Sequence, residues 1–447
     1  MISKAALGVV APLLLLASLA SCGGGGGGGA PAGGGPVLIE TSDAGSVSSA
    51  QVAIGADGHG LAVWIQSDGT RGNVWANRYT ARTGWGTAVL IETDTGNARS
   101  PQVAIDGNGN GMAVWDQSDG LCQNVWANRF TAATGSWGPA VLIETDNTGG
   151  AISPQLGFDA SGNALAVWSG NSSTWSSRYT AATGSWGTPI LVETGTGSAT
   201  SPQVSVAASG NAVAVWQQSD GVRDNIWANR YTATTSSWGT AVLIETDNAG
   251  GASVPRVSID ADGNALAVWV QSDGTRGNVW SNRFTAGTTN AWGTATLIET
   301  DNVGGADAPR LALDGSGNAL AVWLQDGDAS AVVTYDVWSC RYTAGSGWGT
   351  AALLETSALR AGGVELAMNA AGAAVAAWHQ LDGTHQSVSS RRYAAGGGWG
   401  AAALAERYDG GDALSPKVAI DASGAVLLVW EQQAAGLSRL DLWAGSF

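Results

Sequence analysis

Residues Pro101–Glu144 read PQVAIDGNGNGMAVWDQSDGLCQNVWANRFTAATGSWGPAVLIE. Runs rich in β-branched and aromatic residues alternate here with clusters of Gly, Asn, Asp and Ser. No helical apolar period is present, and the pattern is that of short strands and turns. Four strand types can be distinguished. The first is PQVAID (Pro101–Asp106), and the second is clearest as NALAVWVQ (Asn264–Gln271), where Leu266, Val268 and Val270 alternate with Ala267, Trp269 and Gln271. The third is NVWANRYT (Asn73–Thr80) and the fourth WGTAVLIE (Trp85–Glu92).

The stretch recurs along the chain. The glutamate of VLIET, or of a close variant, falls at Glu40, Glu92, Glu144, Glu193, Glu245, Glu299, Glu355 and Glu406, with spacings of 49 to 56 residues. The turn between first and second strands carries glycine in all eight units, at Gly58, Gly109, Gly162, Gly210, Gly263, Gly317, Gly372 and Gly424. A hairpin whose backbone takes a positive φ accounts for glycine that regular. Four antiparallel strands per unit, eight times over, predict an all-β eight-bladed β-propeller of four-stranded antiparallel blades. A linear solenoid would instead leave two open faces. The phase of the repeat supplies a closure. Residues 37–447 start with a fourth-type strand (Val37–Thr41) and stop after a third-type strand (Leu440–Phe447). These N- and C-terminal strands are expected to share one blade, Leu414–Phe447 plus Val37–Thr41, leaving no unpaired edge.

Composition excludes other classes. Glycine occurs 66 times and tryptophan 22 times, charged residues make up 13%, and the formal net charge is −16. Clustered Lys/Arg for phosphate contact is missing, so nucleic acid is not an expected partner. With 44% hydrophobic residues the chain can bury a core, unlike a disordered acidic tail.

Residues 1–21 read as a lipoprotein signal peptide: Lys4, then an apolar run from Ala5 to Leu19 too short to span a bilayer comfortably. Leu19-Ala20-Ser21-Cys22 resembles the lipobox of bacterial lipoproteins, in which the cysteine is acylated; an ordinary secretory cleavage near Ala20 is the alternative. Cys22 and the glycine-rich stretch through Pro36 then form a lipidated tether. Gly23 stands where some inner-membrane lipoproteins carry aspartate, so the resemblance implies an outer-membrane lipoprotein, periplasmic or cell-surface facing. Cys122 and Cys340 fall in units two and six, on opposite sides of an eight-blade ring, and are not expected to be bonded to each other.

The repeated side chains have two readings each. Second-strand tryptophans such as Trp64 and Trp269 suit packing between blades. Third-strand tryptophans, among them Trp75, Trp126, Trp227 and Trp280, suit either packing or stacking on sugar rings. Arg78, Arg129, Arg178, Arg230, Arg283, Arg341 and Arg392 recur on the third strand, and a cross-strand pair with Glu92 and its equivalents is expected. The loops QSDGTRGN and TDNAGGA bring Asp68, Asp119, Asp220, Asp273 and Asp382 to one rim with Asp94, Asp146, Asp247 and Asp301. Turn chemistry is the first reading of these aspartates. A ring of pockets for sugar hydroxyls or calcium is the second, although no loop has EF-hand spacing.

At AVWxQSDG…NVWANRYT the chain resembles a group of bacterial secreted repeat proteins, over residues 37–447. D-x-x-G-N-A-x-A-V-W loosely resembles the aspartate box of sialidase-like propellers; the leading serine is missing and the spacing differs, so no sialidase residue carries over. The even, tryptophan-rich units are also similar to lectin propellers, a resemblance that implies repeated sugar pockets. The only histidines are His59, His379 and His385, and neither H-E-x-x-H nor G-x-S-x-G occurs. The string GNGNG (Gly107–Gly111) has no helix after it and is no phosphate loop. The first expectation is therefore a surface-anchored, monomeric binding or scaffolding propeller, with a glycan or an envelope protein as partner and Asp68, Asp119, Asp220 and Asp273 paired with the third-strand tryptophans as equal sites. The alternatives are a sialidase-like or other polysaccharide-degrading propeller and a purely structural envelope module. The departures from the repeat are the places to look: a shortened loop in unit three (Ser169–Thr174), an insertion in unit six (Asp326–Tyr335), and Ser389, His379 and His385 in unit seven.

Overall fold

The computed structural model describes residues 35–41, 45–145, 149–246, 249–287, 289–300, 304–327, 334–355, 359–406, 410–434 and 436–447. The signal peptide, Cys22 and most of its tether, with Asp146, Asp247 and Asp301, lie outside the described residues. Within the unit Gly34–Phe447, eight separate antiparallel sheets follow one another along the chain. Blade two shows the plan: Ala98–Ile105 innermost, then Gly111–Ser118, then Gln123–Thr131, with the outer pieces Ser136–Trp137 and Val141–Leu142 both paired to the third strand. Each innermost strand touches the innermost strands on both sides, and the eighth returns to the first, so the blades ring a central axis. The protein is an eight-bladed β-propeller.

The eighth blade closes the ring with both ends of the unit. Ala413–Ile420, Val426–Gln433 and Leu440–Ser446 are completed by Val37–Leu38, in the register Val37↔Ala444 and Leu38↔Trp443. The main-chain N–H of Ile39 extends the pairing to the carbonyl of Leu442 at 2.9 Å. All eight turn glycines have positive φ, from 75° at Gly58 to 89° at Gly424, as the hairpin requires.

The fourth strand departs from its expected form. Instead of one run over Trp85–Glu92, the chain makes two short pairings, Gly84–Trp85 and Val89–Leu90. Between them the Asn77 side chain inserts, its Nδ2 donating to the carbonyls of Gly86 at 3.0 Å and of Ile39 on the preceding blade at 2.8 Å. A broken outer strand also denies other chains a continuous edge.

Every inner strand carries a bulge, as between Ser48 and Gln51 or Ser253 and Arg256. One residue in each bulge is left-handed: Ser49, Ser100, Ser153, Ser201, Val254, Ala308, Gly363 and Ser415. At φ 53°, with Pro255 after it, Val254 is the worst fit, because a β-branched side chain crowds that backbone region. Blade seven already has glycine here. Val254→Gly is expected to raise stability by about 1 kcal/mol, the relieved strain exceeding the added chain entropy. Urea denaturation checks this, and a lower midpoint would count against strain at the bulge.

The core lies between blades. Second-strand tryptophans, Trp64 to Trp430, are at most 2% exposed in all eight blades. Each packs across a seam; Trp115 of blade two, for example, meets Val63, Val74 and Ala76 of blade one. Cys122 and Cys340 are both free, four blades apart.

Candidate functional site

The two motifs that mark the repeat meet at the seams. In seven blades the buried tryptophan Nε1 donates to a glutamine two residues on, as from Trp115 to Gln117 at 2.9 Å. The glutamine Nε2 in turn donates to the VLIET glutamate of the preceding blade: Gln117 to Glu92 at 2.9 Å, Gln218 to Glu193 at 2.9 Å, Gln380 to Glu355 at 2.7 Å. Burial raises the Glu92 pKa, while the Gln117 bond opposes the rise. The glutamates are thus seam acceptors.

The expected Arg–Glu pair does not form. The third and fourth strands pair Trp75 with Leu90 and Ala76 with Val89, which brings Glu92 level with Asn73 and not with Arg78. The separation along the strand is five residues, about 17 Å. Arg78 instead crosses the seam and stacks on Phe130, its guanidinium carbon 5.3 Å from the ring centre; Arg129 does the same on Tyr179, Arg230 on Phe284, Arg283 on Tyr342 and Arg392 on Phe447. Arg178 departs, pairing with Asp159 at 3.5 Å. In seven blades the aromatic ring that follows the arginine position packs on the outer-strand tryptophan, edge-on in six, as Tyr79 with Trp85 at 5.5 Å, and tilted for Tyr179 with Trp186.

The rim aspartates are engaged within their own turns. Asp273 Oδ1 accepts from the N–H groups of Thr275 and Arg276 at 2.8 and 3.0 Å and from the Thr275 hydroxyl at 2.6 Å. Asp68, Asp119, Asp220 and Asp382 cap their loops in the same way. The N–H groups of Arg223 and Val222 hold the exposed Asp220 carboxyl down at about 2. This is the turn chemistry read first from the sequence. The third-strand tryptophans Trp75, Trp126, Trp227 and Trp280 are half-buried against the seam clusters, with only part of each ring left to solvent. Among the described residues no group of three or more His, Cys, Asp or Glu side chains is placed to hold a metal.

The repeat breaks on this same face in blade three. Trp64 and Trp75 are eleven residues apart, whereas Trp168 and Trp175 are seven apart. Asn171 and Ser172, at φ 52° and 62°, make a two-residue turn, and Gly170 stands where the other seven blades have glutamine. Without that amide a cavity of about 150 Å³ opens, walled by Glu144, Trp168, Gly170, Asn171, Trp175 and Pro189. Glu144 is 4% exposed and Trp175 half-buried, its Nε1 donating to the Gly170 carbonyl at 3.1 Å. Two indole rings and a carboxylate therefore line one small space. The shortened loop is visible in the sequence; the missing glutamine predicts a cavity only once the seam bond that glutamine makes in the other blades is known.

Two of the three histidines, His379 and His385, lie in blade seven. His385 Nδ1 lies 3.6 Å from Asp412 Oδ1. Burial, reinforced by the Arg360 charge, lowers the His379 pKa to about 4. A ring with that pKa is neutral and weakly basic at pH 7.

The polysaccharide lyase Uly1 superposes with TM-score 0.53 at 10% identity, covering 80% of this chain and 92% of that one. A PL25 ulvan lyase superposes with TM-score 0.55 at 9% identity, over 92% and 95% of the two chains. The Dos1 propeller does so with TM-score 0.55 at 9% identity, over 92% and 94%. The likeness is of fold alone. No protein-family model matches the chain, and no curated protein matches it in sequence.

Proposed function

We propose that the protein is a carbohydrate-binding propeller, held at the bacterial outer membrane through lipidated Cys22, and that its principal sugar site is the cavity of blade three. The observation that carries this reading is the gap left by the missing glutamine, bounded by Trp168, Trp175 and Glu144. Aromatic faces stack on the apolar side of a sugar ring, and a carboxylate accepts from its hydroxyls. The cavity has room for one ring, so a chain end or branch is the fitting ligand. Two of the similar folds are polysaccharide lyases, which makes sugar polymers the class to test first. The multivalent version, with Asp68, Asp119, Asp220 and Asp273 beside Trp75, Trp126, Trp227 and Trp280 as equal weak sites, is separated by stoichiometry.

The test is a glycan array followed by calorimetry, run with calcium and with chelator because the rim aspartates are its candidate ligands. One site per chain, lost in Trp175→Ala with melting otherwise near wild type, is the expected result. Several sites that survive Trp175→Ala and fall by one in Asp273→Ala/Trp280→Ala would transfer the function to the rim. No glycan signal at all would leave the envelope-scaffold reading. A polysaccharide-degrading enzyme is the second reading, favoured by the His385–Asp412 pair on blade seven. Product release from any bound polymer, abolished by His385→Ala, would establish it.

A further inference from the structure

The innermost strands contain another departure from the repeat. At one register position the first four blades carry Gln51, Gln102, Gln155 and Gln203; the last four carry Arg256, Arg310, Glu365 and Lys417. Because these strands ring the axis, the eight positions form one layer around the central channel. Half of that layer is amide and half is charged.

The charged half is unbalanced. Arg310 Nε and Nη2 donate to the two carboxylate oxygens of Glu365 at 2.9 and 3.0 Å, and Lys417 Nζ donates to Oε1 of the same carboxylate. Burial alone would raise the Glu365 pKa, but the two cations hold it well below the usual carboxylate range. Among the described residues Arg256 has no carboxylate at ion-pair distance; its Nη1 donates to the Pro255 carbonyl at 3.0 Å. Burial, with repulsion from Arg310, lowers its pKa to about 10. Three cations thus face one anion, inside a protein whose net charge is −16. The layer is not sealed: the side chains of Arg310, Glu365 and Lys417 keep 20, 16 and 24% of their surface exposed.

Toward the first-to-second turns the channel opens into a space of about 420 Å³ with aliphatic walls, among them Ile54, Ile105, Leu311, Leu313, Met368 and Ile420. Leu311 directly follows Arg310, so this vestibule adjoins the charged layer.

We propose that the channel binds a small organic carboxylate with an apolar body, its carboxylate seated on Arg256 beside Arg310 and its body in the aliphatic vestibule. A planar guanidinium presents parallel N–H donors that match a carboxylate. Arg256 is half-buried and feels Glu365 only from beyond ion-pair distance, so a ligand carboxylate in direct contact supplies the near counter-charge that this position lacks. The aliphatic side chains of the vestibule, with Ser258 as the one polar side chain among its lining residues, take the apolar body of the ligand out of water. The site is single, on the axis, and shares no residue with the blade-three cavity.

Calorimetry on the full chain with sodium octanoate tests the proposal, with octanol and sodium sulfate as the uncharged and the purely ionic controls. Wild type should bind one octanoate per chain, with both controls at least about tenfold weaker. Arg256→Gln installs the residue that four other blades carry, so it should fold, melt at the same or a higher temperature, and lose at least about tenfold in octanoate affinity. Its glycan binding should be unchanged, which keeps this site and the sugar site separable. Equal octanoate affinity in Arg256→Gln overturns the proposal. Sulfate as tight as octanoate reduces the site to a simple ion pocket and overturns it too, as does no heat at millimolar octanoate.

Discussion

Deletion of residues 37–41 is expected to destabilise the propeller by about 5–8 kcal/mol and to replace one cooperative unfolding transition with a broad one. Ile39 is 1% exposed and packs among Ala62, Trp64 and Leu442, so its burial contributes about 2–3 kcal/mol. Two amides in blade one lose acceptors with it. Gln66 donates to Glu40, and Asn77 to the Ile39 carbonyl. Leaving a buried donor unmatched costs about 1–3 kcal/mol each. The third strand of blade eight, Leu440–Ser446, also becomes an open edge able to pair with another chain. Guanidinium denaturation and light scattering read the two effects, and a truncated variant with the full chain's midpoint would refute the closure.

Trp216→Ala carries the next largest effect, about 3–5 kcal/mol. The indole is fully buried at the seam with Val167, Val192 and Ala199, and its Nε1 is the donor that Gln218 accepts. Trp227→Ala, on the third strand of the same blade, removes a half-buried ring and should cost about 1–2 kcal/mol. Urea midpoints for the two variants decide the matter. Equal losses would mean that the second and third strands do not divide the work of packing in this way.

Fold and blade number were legible because they depend on features that repeat within a unit. Gly58 and its seven counterparts mark a turn whether or not the neighbours are known. Contacts between units were not legible. Arg78 and Glu92 lie on adjacent strands and invite pairing, yet the register separates them, and the true partner, Phe130, belongs to the next blade. The same holds for Gln117 and Glu92, two motif residues whose bond exists only across a seam. Of the candidate sites, the short hairpin of blade three was visible as a length, but its meaning depends on knowing that glutamine fills the gap elsewhere. The change from Gln203 to Arg256 along equivalent strands has no significance until those strands are seen to line the axis.

The arginine stacking runs one way around the ring. Each of Arg78, Arg129, Arg230, Arg283 and Arg392 belongs to one blade, and its aromatic partner to the following one. A unit of this kind therefore brings a plug on one side and a socket on the other. Gene duplication of such a unit would insert both halves together, and the seams on either side of it would each keep a chemically complete partner. Ring size is in this sense evolvable without new interface chemistry. What an added or lost unit would alter is the angle between blades, and with it the bore of the axis, so selection on the number of units acts on whatever passes through or lodges at the centre.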